Sequence, residues 1–209
     1  MKRFFYVRVV LYALLLLALI SCEFVPSRIE NQTPLLPTEL HQQIHSGDVV
    51  FRQGRSFASL TVLSSDRESD YSHVGVAIEV DGELMISHAV PGESEDEFVC
   101  FESIESFFAY KRAKNGAVLR LPLDSIKRRT LEQRAQDIVS QNIQFDHEYN
   151  AGSEDKLYCT EYVWLLFKAI GVDLACGQRA QVTIFNLSEP LIFPSHLYKY
   201  PELELIGCF

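Results

Sequence analysis

The sequence predicts an α+β fold with an antiparallel sheet packed against helices, and two observations carry that prediction. An Asp81-Gly82 pair stands between two β-rich runs, Ser72–Val80 and Glu83–Val90. Such a pair is a strong hairpin signal, because both residues of the tight turn must take positive φ. Further on, apolar residues at Ile126, Leu131, Ala135, Ile138, Val139 and Ile143 recur close to helical spacing, and a second apolar run from Leu157 to Ile170 stops at Gly171. Strands therefore cluster in the middle of the chain with helices around them.

The first residues are set apart from the fold. Lys2, Arg3 and Arg8 surround the start of an unbroken apolar run from Val9 to Ile20, which has the layout of an export signal and is short for a membrane-spanning helix. The run ends in Leu19-Ile20-Ser21-Cys22, which resembles a bacterial lipobox and implies cleavage before Cys22 and lipidation of that cysteine. The expected organisation is a signal peptide over 1–21, a lipidated N-terminus and tether over 22–40, and one catalytic domain over 41–209. Pro26, Pro34 and Pro37 among polar residues suit the tether. Glu23 stands where aspartate would be the usual inner-membrane retention signal, so the resemblance implies the outer membrane, facing the periplasm. The formal net charge is −9, and loss of the leader would make it more negative. An acidic surface argues against nucleic acid and against electrostatic attachment to anionic lipid. Membrane attachment is therefore expected through the lipid on Cys22.

Within the domain, Gly47–Phe51 reads as a short strand. Pro91-Gly92 and the acidic residues up to Glu97 read as a surface loop, and Ala117–Leu121 as a further strand. Pro194–Leu205 reads as a short helical piece interrupted at Pro201. Cysteines stand at 22, 100, 159, 176 and 208 with no C-x-x-C. In an exported protein, a free Cys159 leaves room for at most one bridge among Cys100, Cys176 and Cys208.

Two segments carry candidate chemistry. A polar loop, Asn150–Lys156, leads directly into the apolar helix that holds Cys159. A cysteine in the first helical turn faces unpaired backbone N–H groups and the positive dipole end, which favour thiolate over thiol and could stabilise an oxyanion. The other reading of the segment is an ordinary buried helix cysteine. The second segment is Ser72-His73-Val74-Gly75-Val76. Val74, Val76, Ile78 and Val80 alternate onto one face, leaving His73, Gly75 and Ala77 on the other. A two-residue turn at Asp81-Gly82 pairs Val80 with Glu83 and Gly75 with His88, so His88 lies diagonally across from His73 on the same face. Such neighbours are about 7–8 Å apart at Cα, within reach of two imidazoles. One histidine could take the thiol proton while the other orients it. The alternative use of His73, His88 and Cys159 as zinc ligands finds no supporting ligand spacing, and no metal or cofactor is expected. Asp146, His147 and Glu148 read as a solvated loop.

Four stretches together resemble the YiiX/YebB-like branch of the papain-like NlpC superfamily, and within it the YaeF-type lipoproteins. They are Gly47-Asp48-Val49-Val50-Phe51, Tyr71-Ser72-His73-Val74-Gly75-Val76, Leu157-Tyr158-Cys159-Thr160-Glu161-Tyr162-Val163 and Pro194-Ser195-His196-Leu197. Histidine precedes cysteine, the reverse of ordinary papain-like enzymes, so the resemblance implies a circularly permuted papain-like (NlpC-type) fold. It further implies a cysteine hydrolase with Cys159 as nucleophile and His73 as base. The third position falls on His88, where relatives use glutamate in places; a Cys–His–His set also resembles lecithin:retinol acyltransferase-type enzymes. The implied chemistry is acyl transfer through a thioester. The backbone N–H at Cys159 is the first oxyanion donor and Tyr71 a second. The leading expectation is an envelope amidase or peptidase acting on peptidoglycan peptides or lipid-linked amides. The alternatives are a lipid-directed thiol acyltransferase or esterase, and a non-catalytic binding lipoprotein.

Overall fold

The structure is a computed structural model that describes residues 35–91, 97–149, 155–181 and 190–209. The leader, Cys22 and most of the expected tether lie outside the described residues, as does most of the acidic loop before Glu97. Six strands form one antiparallel sheet: β1 (Val49–Gly54), β2 (His73–Val80), β3 (Glu83–Ala89), β4 (Val99–Ser103), β5 (Ala113–Arg120) and β8 (Glu204–Cys208), in the order β4-β3-β2-β1-β5-β8. A two-stranded parallel pair, β6 (Gln144–Phe145) and β7 (Lys156–Leu157), stands apart from it. The helices are α1 (Thr38–His41), α2 (Phe57–Ser65), α3 (Ile104–Phe107), α4 (Ser125–Ser140), α5 (Cys159–Lys168) and α6 (Pro194–Tyr198). Among the described residues, no helix is long and apolar enough to cross a membrane.

The β2–β3 hairpin forms in the register the turn dictates. Asp81 and Gly82 take φ of 51° and 82°, Val80 faces Glu83 and Val76 faces Ser87. Alternation then sorts the strands onto two faces. Val49, Phe51, Val74, Val76, Ile78, Val99, Ala117 and Leu119 join a large core with Leu131, Ala135 and Ile138 of α4 and Tyr162, Val163, Leu166 and Phe167 of α5. On the opposite face Val50, Ala77, Ile86 and Val118 pack with Phe107 and Phe108 at the end of α3 and with Leu36, Leu40 and Ile44 around α1.

Three expectations are corrected. Ordered packing starts before residue 41: Leu35 donates its N–H to the Phe108 carbonyl at 3.0 Å, and Leu36 and Leu40 are buried. The expected tether therefore ends in the core, because its last leucines cover the second face of the sheet. The stretch read as helical to Leu205 is helical only to Tyr198; Glu204–Cys208 is an edge strand on β5, where alternating side chains suit a sheet margin. Ile126, in the first turn of α4, is 77% exposed, because the buried stripe of that helix begins at Leu131.

Candidate active site

α5 begins at Cys159 itself. Its start is pinned by two hydrogen bonds across the chain: Thr160 Oγ1 donates to the Ile192 carbonyl at 2.6 Å, and the Ile192 N–H donates to Tyr158 Oη at 3.1 Å. One turn on, the Tyr162 hydroxyl pairs with Ser87 Oγ on β3. These contacts fix where the first turn stands against the sheet. The segment around Ile192 leads into α6, whose Ser195 N–H donates to Asp66 at 2.9 Å and whose His196 Nδ1 accepts the Phe193 N–H at 3.2 Å. The Pro194-Ser195-His196-Leu197 motif thus acts as a fastening, with its histidine spent on capping.

The backbone of Val74, the residue directly after His73, and that of Thr160 and of Cys159 itself favour the anion of the Cys159 sulfur. The β2–β3 ladder runs from the turn only to Val76 and Ser87, so His73 and Val74 stand beyond its end. Cys159 keeps some solvent exposure. Burial pushes its thiol up to about 11, against the opposing pull of those backbone groups and of the nearby Arg52 guanidinium. This corrects the expectation of a resting thiolate: the helix start stabilises the anion, but the loss of water around the sulfur costs more. The resting group is a thiol, and it needs a base.

His73 is 4% exposed and His88 is fully buried. His73 Nε2 lies 2.8 Å from His88 Nδ1, the diagonal contact set by the hairpin register. Gly75 makes the approach feasible, since a Cβ there would stand 2.7 Å from Ile86 Cγ2 and 3.1 Å from His88 Cβ. Both rings pack on Phe107, with centroids 5.7 and 5.1 Å away. Burial lowers the His73 imidazole well below its usual value, helped by Arg52, by His88 and by Arg112. Burial lowers His88 as well, against the opposing effect of its hydrogen bond to Glu102. Both rings are therefore neutral at pH 7, the state in which an imidazole can accept a proton.

Three residues that the sequence reading did not single out complete the surroundings. Glu102 on β4 places Oε2 3.1 Å from His88 Nε2. Its Oε1 accepts the Ser106 hydroxyl at 2.6 Å and pairs with Arg112. Burial alone would raise this carboxyl, but the His88 contact, Ser106 and Arg112 outweigh it and bring it down to about 2. Arg52, directly opposite His73 in the β1–β2 register, is buried with its guanidinium 4.3 Å above the Phe107 ring and its Nη1 2.6 Å from the Phe107 carbonyl. Tyr149 lies close enough to Cys159 for the two to interact electrostatically, and burial raises its hydroxyl to about 12.

The remaining sequence candidates are placed differently. Tyr71 stacks with Phe51 and Tyr198, at ring separations of 5.8 and 5.3 Å; these contacts account for it as packing. Asp146, expected in a solvated loop, is buried and accepts the Glu148 N–H at 2.9 Å, whereas His147 is exposed and pairs with Glu97. Cys100, Cys159, Cys176 and Cys208 are all free thiols. Among the described residues, no group of three or more His, Cys, Asp or Glu side chains is arranged to hold a metal ion.

Comparison with known proteins bears on this arrangement. A family model described as permuted papain-like amidase enzyme, YaeF/YiiX, matches residues 43–207. Among solved structures, the metalloprotein YiiX from Escherichia coli O157:H7 superposes with a TM-score of 0.67 at 21% identity, over 79% of this chain and 97% of that one. At that identity the likeness speaks to the fold. No curated protein sequence matches the chain.

Proposed function

The chain belongs to the permuted papain-like amidase family of the YaeF/YiiX type and is a cysteine hydrolase, and from that premise we propose that Cys159 is its nucleophile, His73 the general base and His88 the residue that orients His73. The observation that carries this reading is a neutral, buried His73 backed by His88 at 2.8 Å, with Cys159 opening α5 and the Val74 backbone next to His73 favouring the Cys159 anion.

The cycle follows from the groups present. His73 takes the thiol proton as the sulfur attacks an amide carbonyl, so a buried anion never has to persist. The carbonyl oxygen, negative in the tetrahedral intermediate, is met by the backbone N–H at the start of α5. Collapse forms a thioester and passes the proton from His73 to the leaving nitrogen. Water then attacks the thioester with His73 again as base, releasing acid and thiol. The substrate we propose is an amide of the cell envelope, in peptidoglycan peptides or lipid-linked amides, and the enzyme reaches it because Cys22 is lipidated and holds the domain at the outer membrane.

The test incubates the full-length protein with solubilised cell envelope, quenches in acid and measures the mass of the peptide carrying Cys159. A hydroxylamine-labile acyl adduct on Cys159 is expected, and it should be lost in Cys159→Ala. An envelope digest in which no amide is cleaved and no adduct forms would overturn the reading.

A further inference from the structure

We propose that Glu102 is a positioning residue that fixes which nitrogen of His88, and through it which nitrogen of His73, carries the proton. This rests on the reading of His73 as base and extends it to a residue two strands away, β3 intervening.

The argument is one of donors and acceptors. An ionised carboxylate can only accept. Glu102 Oε2 stands 3.1 Å from His88 Nε2, and that oxygen is buried without a formed hydrogen bond, so the ring N–H of His88 is the donor within reach of it. Neutral His88 must then hold its proton on Nε2, leaving Nδ1 as a lone pair. His88 Nδ1 is the atom 2.8 Å from His73 Nε2. Two lone pairs cannot share that contact, so His73 carries its proton on Nε2. In a neutral ring Nδ1 is then the basic atom, and on the reading of His73 as base it is the nitrogen that takes the Cys159 proton. The carboxylate is itself held: Oε1 takes Ser106 and Arg112, and β4 faces β3 with His88 opposite Cys100. Cys100 Sγ, 4.0 Å from His88 Nε2, is a competing neighbour, but burial keeps it a thiol, raised to about 11. A thiol is a weak acceptor beside a carboxylate. Arg52 and Arg112 are the cations facing the cluster. Both disfavour an imidazolium and leave the tautomer to Glu102.

The decisive measurement is nitrogen-15 NMR of the histidine side chains in the full-length protein near pH 7, where couplings to the ring protons identify the tautomer. Wild-type protein should show both His73 and His88 protonated on Nε2, assigned by loss of each signal in His73→Asn and His88→Asn. In Glu102→Gln the amide can donate to His88 Nε2, so the chain should invert and His73 should carry its proton on Nδ1. The same variant should lose at least tenfold in the rate at which iodoacetamide alkylates Cys159, because Nδ1 of the proposed base then carries a proton and cannot accept one. Glu102→Asp keeps an acceptor and should keep both tautomers and most of the rate, and it serves if Glu102→Gln folds poorly. Wild-type His73 protonated on Nδ1, or Glu102→Gln with unchanged tautomers, would overturn the proposal. A His73→Ala variant whose Cys159 labels at the wild-type rate would instead sink the base assignment while leaving the NMR result standing, so the two failures are separable.

Discussion

Two carboxylates, the buried Asp48 and the partly buried Glu102, sit in this domain beside arginines, and the contrast between them separates structure from chemistry. Asp48 has both oxygens satisfied: Arg120 Nε donates to Oδ1 and Arg120 Nη2 to Oδ2, each at 2.7 Å, and the His45 N–H donates to Oδ2 at 2.8 Å. The pair ties the entry to β1 onto β5 and admits one arrangement. Glu102 is fully engaged at Oε1 only, with Oε2 turned to a histidine, and the nearby Arg52 keeps an unpartnered Nε. A buried polar group left short of partners costs stability, and here the shortfall falls around the two imidazoles that have to move a proton. A closed network holds a fold; an open one next to a thiol can change state.

The contrast yields two tests of stability. Asp48→Ala removes one partner of a buried ion pair and leaves Arg120 without its anion. It should cost about 3 kcal/mol in urea unfolding while changing the iodoacetamide rate at Cys159 by less than about twofold. A large loss of labelling in a folded Asp48→Ala variant would erase the distinction. The smaller effect is one of pH. His73 and His88 have folded values depressed below 6.5, so as pH falls through 6.5 the unfolded chain binds protons that the folded chain refuses. Stability should therefore drop on the acid side, by up to about 1.4 kcal/mol per pH unit for each histidine. It should level off only where the folded imidazoles themselves protonate. Glu102 works lower: its folded value near 2 against an ordinary 4.5 stabilises above about 4.5 and is lost as pH falls toward 2. Urea titrations at pH 7, 6 and 5 should show the slope, and His88→Asn should remove about half of it.

The same contrast explains what the sequence disclosed. The meeting of His73 with His88 was legible because Asp81-Gly82 permits one register, and a fixed register carries side-chain facing with it. The position of Cys159 was legible because a polar loop runs straight into an apolar helix. Glu102 was not. Its strand follows β3 through an acidic connection with no turn type to set a register, so nothing local says that Cys100 pairs with His88. Arg52 was hidden for a related reason: its partner is His73, twenty-one positions on, across a connection that contains the exposed helix α2. The edge strand Glu204–Cys208 was missed, its first two residues falling in the stretch read as helical, because its pairing partner, β5, lies far back along the chain. The charge state of Cys159 was misjudged because helix position is written in the sequence, whereas burial is a property of the assembled fold.

The account's central claim, that His73 activates Cys159, has a direct measurement. The full-length protein is treated with a limiting amount of iodoacetamide at pH 7, and the labelling of each cysteine-bearing peptide is followed by mass spectrometry, with the exposed Cys176 and Cys208 as internal references. Despite its partial burial, Cys159 should label fastest, and in His73→Ala it should fall at least tenfold to below both references. Labelling of Cys159 that is slower than Cys176 and Cys208 in the wild type, or unaltered by His73→Ala, would contradict it.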